Sequence, residues 1–172
     1  RFFDQIVMLY DKNKNEVLGR LGTDRPHQFK AQFLYRMPWD MTVGLNQRIA
    51  SGIPMSEEFQ IQGGYPFFPN GRGNMGRTPV LSTTDLSLVQ ALRFGGQAFE
   101  VQMTVLNLFD QDTVTRLDNT RFRGSSTLPI NTVQFFNTNW DYDAFIAANP
   151  NAVDPKFGLA NQWLAPREIR FT

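Results

Sequence analysis

The sequence predicts an all-β chain: an antiparallel, up-and-down segment of a transmembrane β-barrel, with about five long strands, short turns at one end and long loops at the other. Three observations predict it. Apolar and polar residues alternate with period two over segments of roughly 10 to 13 residues, longer than the ~5–6 of an ordinary strand. The connections alternate short, long, short, long. The polar residues of successive segments can share one face, while the opposite face is almost uniformly apolar. Membrane barrels combine strands of at least ~9–11 residues with short turns on one side and long loops on the other.

Composition narrows the field. The chain has 172 residues, enough for one ordinary domain. Its formal net charge of +1 gives no sign of a broad nucleic-acid footprint or a polybasic membrane patch. Only 19% of residues are charged, below the usual quarter or so, and aromatics reach 13%. Mean hydropathy is nevertheless negative, so apolar and polar residues must be finely interleaved. No apolar run is long enough for a transmembrane helix, which leaves a membrane barrel open because each of its strands carries a much weaker signal. With no Cys, disulfides and thiolate metal sites are excluded. The chain starts at Arg1 with no visible signal peptide and reads as a mature product or a fragment.

The elements follow in order. Residues 1–26 read as a leading loop or short hairpin, with a turn at Asp11-Lys-Asn-Lys-Asn15. Residues 27–50 hold two strands. In the first, Phe29, Ala31, Phe33, Tyr35, Met37 and Trp39 alternate with Gln28, Lys30, Gln32, Leu34 and Arg36. A tight connection at Pro38–Met41 leads to the second, where Val43, Leu45 and Ile49 oppose Thr42, Gly44, Asn46 and Arg48, and Gln47 interrupts the apolar face. Residues 53–79 form a long loop rich in Gly, Pro and aromatics. Residues 80–109 hold two more strands around a Gly95-Gly96 hairpin turn. Residues 110–164 form the second long loop, with a short helix capped by Asp141 and ending before Pro150. Residues 165–172 supply the last strand, where Ile169 and Phe171 alternate with Glu168, Arg170 and Thr172.

Each motif with a chemical reading also has a plainer one. Gly71-Arg-Gly73-Asn-Met-Gly76 has the G-x-G-x-x-G spacing of a dinucleotide-binding turn, but Thr78-Pro79 and a strand follow it where a helix is required. Asn70-Gly71 predicts a turn instead. His27, the only histidine, has no partners for a triad or a metal site and is read as a strand-entry residue. Asp110, Asp112 and Asp118 lack the glycine and terminal Glu of an EF-hand and read as a solvated loop. Trp140, Tyr142 and Phe145 are candidate outer-loop contacts for a ligand or partner, against the alternative of a locally packed helix. Arg48, Arg93, Glu100 and Arg170 are candidate lumen-facing residues, against the alternative of ion pairs along a barrel wall. No nucleophile–base pair or metal cluster stands out, so no catalytic residue, cofactor or metal is expected.

Several stretches together resemble a known family. These are "TDRPHQFKAQFLYRMPWDMTVGLNQRIASGIP", "GRTPVLSTTDLSL", "VLNLFDQDTVT" and "APREIRF". They look like the C-terminal barrel region of TonB-dependent outer-membrane receptors, and most like the Oar-like subgroup with a carboxypeptidase-regulatory-like N-terminal domain. The resemblance covers about Thr23 to Thr172. Its most specific pieces are Asp24-Arg25-Pro26-His27, Gly76-Arg77-Thr78-Pro79 and Asn107-Leu108-Phe109. It implies the final strands of a plugged barrel of about 22 strands in the bacterial outer membrane, working in uptake or surface recognition of a ligand. The implied partners are membrane lipid, the rest of the barrel and its plug or neighbouring chains, and an energy-coupling complex; nucleic acid is not among them. The sequence departs from the family in two ways. The plug and most of the barrel are not in this chain, and about five strands cannot close a barrel that needs at least roughly eight. The end is Phe171-Thr172 where the family typically ends on an aromatic residue. Two alternatives stand beside the receptor: a structural accessory subunit of a membrane complex, derived from such a barrel, and a soluble β-barrel or sandwich binding module.

Overall fold

A computed structural model describes residues 10–62, 65–122 and 127–172. In chain order the elements are β1 (Gln28–Arg36), β2 (Met41–Ala50), β3 (Phe59–Gln62), β4 (Tyr65–Phe67), β5 (Leu81–Phe94), β6 (Gln97–Leu106), β7 (Val114–Leu117), β8 (Thr127–Asn131), α1 (Thr132–Asn137), α2 (Tyr142–Ala148), a 3-10 turn (Pro150–Ala152), β9 (Ala160–Trp163) and β10 (Glu168–Phe171). The fold is predominantly antiparallel β, as the alternation predicts. The chain divides into two compact units, one made by the long strands and one by the long loops.

The sheet unit comprises Arg25–Gly52, Pro79–Thr115 and Trp163–Thr172. Its five strands run in the order β1-β2-β5-β6-β10, every pairing antiparallel. The sheet is open, with β1 and β10 as its edges. Four strands have 9 to 14 residues. The fifth, β10, has four, so the expected five long strands are four long and one short.

Two turns set the register at one end. Gly95 and Gly96 both have positive φ (56° and 81°), the conformation a two-residue hairpin loop needs to match strand twist. The β1–β2 turn closes through Met37 N–H donating to the Met41 carbonyl at 2.7 Å, with Asp40 at φ 57°. Asp tolerates this region better than most residues. The Asp40 carboxylate accepts from Arg36 at 2.8 Å, and Arg93 lies 3.8 Å away.

The register makes each face continuous, because residues paired across strands point the same way. One row runs Phe33–Leu45–Leu86–Val105–Ile169 across all five strands. The next runs Tyr35–Val43–Leu88–Met103–Phe171. The opposite face carries Lys30, Arg48 and Thr83 in one row and Gln32, Asn46 and Asp85 in another. Gln47, which breaks the apolar pattern in sequence, is not alone: its amide donates to Ser82 Oγ at 3.1 Å and accepts from Thr84 Oγ1. The three make a self-contained polar patch on the apolar side.

The loop unit comprises Arg1–Asp24, Ile53–Thr78 and Arg116–Gln162. The long connections are therefore folded segments. A small mixed sheet, β4-β3-β8, carries one antiparallel and one parallel pairing. Phe59, Phe67, Phe122, Leu128, Ile130, Phe135 and Tyr142 form the core, with Tyr10, Phe136, Trp140, Phe145 and Ile146 packed against it. Ring pairs such as Phe67–Phe135 (5.1 Å) and Phe59–Phe122 (5.3 Å) lie at the inclined angles aromatic quadrupoles favour. The predicted helix forms as α2: Asp141 Oδ1 accepts from Asp143 N and Ala144 N, and the helix ends before Pro150. The helix α1 is an addition, closed by a reciprocal cap between Asn131 and Gln134. The predicted turn at residues 11–15 is present, with Tyr10 bridging Glu16 and Lys14 at φ 63°. The rest of the leading hairpin, residues 1–9, lies outside the described residues.

Candidate functional site

Three features compete for attention: the apolar sheet face, the polar sheet face, and the interior of the loop unit. The apolar face is bare. Phe33, Leu45 and Trp39 remain 59%, 37% and 62% exposed, and Phe29, Tyr35, Phe94, Phe99, Ile169 and Phe171 are exposed as well. A half-buried soluble sheet puts such a face against a second layer. A contiguous exposed apolar patch on this scale marks a contact surface. The rings concentrate at the short-turn end: Tyr35 and Trp39 flank one turn, Phe94 and Phe99 the other.

The register puts Arg48, Arg93, Glu100 and Arg170 on the polar face together. They do not form one cluster. Arg48 lies opposite Lys30 and Thr83, Arg93 reaches Asp40 in the β1–β2 turn, and Glu100 lies opposite Ala91. Arg170 pairs with Glu168 of its own strand at 2.7 Å. Among the described residues, no two of the four form an ion pair. Gly44 makes a dent in this face, beside Leu34 and Ser87, within a shallow cleft of about 330 Å³.

The loop interior holds a feature that the sequence did not announce. Glu57 is 1% exposed and sits at the centre of a polar clasp. Its Oε1 accepts from Tyr142 Oη at 2.6 Å and faces Arg121 Nε at 3.1 Å. Its Oε2 accepts from Asn70 Nδ2 at 2.6 Å. Its backbone N–H donates to Asn74 Oδ1 at 2.9 Å. Glu57, Asn70 and Asn74 come from the first long loop; Arg121 and Tyr142 come from the second. Burial pushes the Tyr142 hydroxyl well above its ordinary value, and the Glu57 carboxylate adds to the effect. Arg121 also lies over the Phe157 ring at 4.9 Å, which fixes its direction.

Of the candidate outer-loop contacts Trp140, Tyr142 and Phe145, the structure places Tyr142 inside the unit. Tyr142 is 1% exposed and has no face left for a partner. Trp140 and Phe145 are half-buried, packed on the same core and 6.0 Å apart. The plainer alternative, a locally packed helix, is what forms. The reason is composition: Tyr142 and Phe145 on the seven-residue helix, with Trp140 just before it, supply rings that the unit's core needs.

The motifs behind the resemblance act as junctions. Arg77 binds Asp24 at 2.6 Å and holds its carboxyl below the usual carboxylate range. Thr78 N donates to the Ile53 carbonyl at 3.0 Å, and Thr78 Oγ1 accepts from Ile53 N at 3.0 Å, so the first loop is stapled at its base. The Ser51 N–H donates to the His27 carbonyl at 2.9 Å, the His27 N–H donates to Ser51 Oγ at 3.2 Å, and Arg25 donates to the Ser51 carbonyl at 2.6 Å. Asn107 is buried at φ 50°. It donates to the Gln111 and Ala165 carbonyls at 2.9 Å each, and accepts from Gln111 N at 3.0 Å. Gly71, Gly73 and Gly76 all have positive φ and build consecutive turns, with Gly71 N bonded to the Phe68 carbonyl. No helix begins there, in keeping with the turn expected at Asn70-Gly71 rather than a phosphate cradle. Asp110 Oδ1 accepts from Arg167 N and Asp118 Oδ1 from Thr120 N, each tying down its own loop.

Comparison with protein-family models, with curated proteins and with solved structures finds no match to this chain.

Proposed function

We propose that this chain is part of an outer-membrane receptor barrel of the TonB-dependent kind, serving uptake or surface recognition of a ligand. The sheet is a section of barrel wall, and the folded loops are its outward-facing part. One observation carries the reading: an apolar face held in register across five strands and largely exposed, interrupted by the Gln47–Ser82–Thr84 patch and covered at Val105. The dimensions agree. β5 has 14 residues, about 43 Å at ~3.3 Å per step. At the ~45° tilt of barrel strands this spans about 30 Å, the thickness of a hydrocarbon core. The aromatic residues at the short-turn end match an interfacial girdle. The open edges at β1 and β10 leave backbone groups for neighbouring strands to pair with. Lipid and those strands are the partners, with a plug and an energy-coupling complex in the intact receptor. The reading asks for no cofactor and no catalysis.

The test is solvent dependence, read at Trp39. A variant keeping Trp39 as its only tryptophan (Trp140→Phe, Trp163→Phe) is reconstituted in vesicles containing brominated lipid. Quenching of Trp39 is expected, together with precipitation when detergent is withdrawn. A monodisperse chain in plain buffer, with Trp39 unquenched in vesicles, overturns the proposal in favour of the soluble module.

A further inference from the structure

The loop unit contains a cleft of about 310 Å³ that none of the readings above uses. All three of its segments meet there. Arg20 comes from the leading segment, Met55, Glu58, Phe68 and Arg72 from the first long loop, and Arg116 from the second. The volume is at the lower end of small-molecule sites. Three arginines and one glutamate, Glu58, are among the lining residues with Met55 and Phe68, so the cleft lining carries excess positive charge beside apolar side chains.

The three arginines are held to different degrees. Arg72 lies 4.5 Å over the Phe68 ring, which presets its plane. The backbone at Gly19 presses against it: a Cβ at Gly19 would meet Arg72 Cβ at 2.6 Å, so only glycine lets the leading segment close on this side. Arg20 reaches Asp24 at 3.3 Å, but Arg77 holds the same Asp24 oxygen more tightly at 2.6 Å. Arg116 is exposed and has no ion pair among the described residues. One guanidinium is thus preset, one loosely engaged and one open. A carboxylate or phosphate satisfies such groups through paired, charge-assisted hydrogen bonds.

We propose that this cleft binds a small organic anion, with a carboxylate or phosphate among Arg20, Arg72 and Arg116 and an apolar body beside the apolar lining of Ile53, Met55 and Phe68. The site belongs to the loop unit alone. A failure of the membrane reading leaves it standing, and its own failure leaves the membrane reading standing.

The test is calorimetric titration of the full chain, in whichever medium keeps it monodisperse, with phenyl phosphate, benzoate, inorganic phosphate and neutral benzyl alcohol. Saturable one-site binding of phenyl phosphate or benzoate is expected, with weaker binding of inorganic phosphate and none of benzyl alcohol. The ratio of the two aromatic anions tells phosphate from carboxylate. Arg116→Gln, a surface change that removes no ion pair among the described residues, should weaken binding about tenfold, and Arg116→Lys should restore part of it. Three results overturn the proposal: no saturable binding of either aromatic anion up to about 10 mM, equal binding of benzyl alcohol, or unchanged affinity in Arg116→Gln.

Discussion

Replacing Glu57 by alanine should open the loop unit while leaving the long-stranded sheet intact. The magnitude follows from the three groups that lose their acceptor. Tyr142 is buried, so its hydroxyl is left without a partner, at a cost of about 1–3 kcal/mol. Asn70 is exposed and re-bonds to water, so its loss is the ordinary ~1 kcal/mol of a net hydrogen bond. Arg121 retains 30% side-chain exposure and its stack on Phe157, so its loss is screened to about 1 kcal/mol. Together these give about 3–5 kcal/mol, the range for breaking a buried ion pair from one side. Glu57→Gln keeps the shape and one acceptor oxygen, and should cost about half as much. The assay is native-state hydrogen exchange read by mass spectrometry on peptides covering β3 and α2. At 1.4 kcal/mol per tenfold, exchange in Glu57→Ala should accelerate between about 10² and 10⁴ times, with peptides from β2 and β5 unchanged. An acceleration below about threefold, or a Gln variant as damaged as the Ala variant, refutes the clasp as the link between the loops.

Three further outcomes follow. The loop unit should loosen in alkali: Tyr142 keeps its proton in the folded state past the value near 10 at which the unfolded chain releases it. Its stabilisation is therefore complete below pH 10 and declines as the pH rises toward the folded value, and Trp140 fluorescence between pH 8 and 12 should report the step. Tyr142→Phe should abolish that step; an unchanged alkaline slope would assign it elsewhere. Leu45→Arg, at the centre of an apolar row, should cost about 2–4 kcal/mol in bilayers if Leu45 faces lipid near mid-depth. A cost within about 0.5 kcal/mol, read from urea-unfolding midpoints in vesicles, would place it in water. Asn107→Ala should destabilise the sheet unit by about 2–4 kcal/mol, through its lost side-chain bonds and a left-handed backbone that alanine resists. Asn107→Gly should recover about 1 kcal/mol of this, and equal melting temperatures for the two variants would discount the backbone part.

The sheet was legible because its information is local. Alternation in Gln28–Arg36, Met41–Ala50, Leu81–Phe94 and Gln97–Leu106 specifies two faces, and Gly95-Gly96 specifies a turn. Together they set the register of every long strand. The cap at Asp141 is equally local, and the Asn131–Gln134 pair that starts α1 was present to be read in the same way. The clasp was not legible. Glu57 and Tyr142 are 85 residues apart, and nothing in "MSEEFQ" separates buried Glu57 from half-buried Glu58. An aperiodic loop that supplies its own core carries no face pattern to follow. Its many aromatics were the available signal, since a solvated loop has no use for so many rings.

The junction motifs deserve a different weight from the faces they connect. Asp24–Arg77, Thr78–Ile53, His27–Ser51 and Asn107 with Ala165 all sit where a strand meets a loop. Their chemistry is specific, a charge pair or a buried amide held at fixed geometry, and it meets the open cleft only at Ile53, which lines it, and through Arg20, which competes with Arg77 for Asp24. Such residues fix the ends of the long strands and the bases of the loops. They are silent about what the loop recognises. That recognition would rest on side chains with no structural work to do, and Arg116, exposed and without an ion pair among the described residues, meets that description. The residues that close the strand ends and those that line the cleft are therefore largely separate, and a variant such as Arg116→Gln can change the second set without disturbing the first.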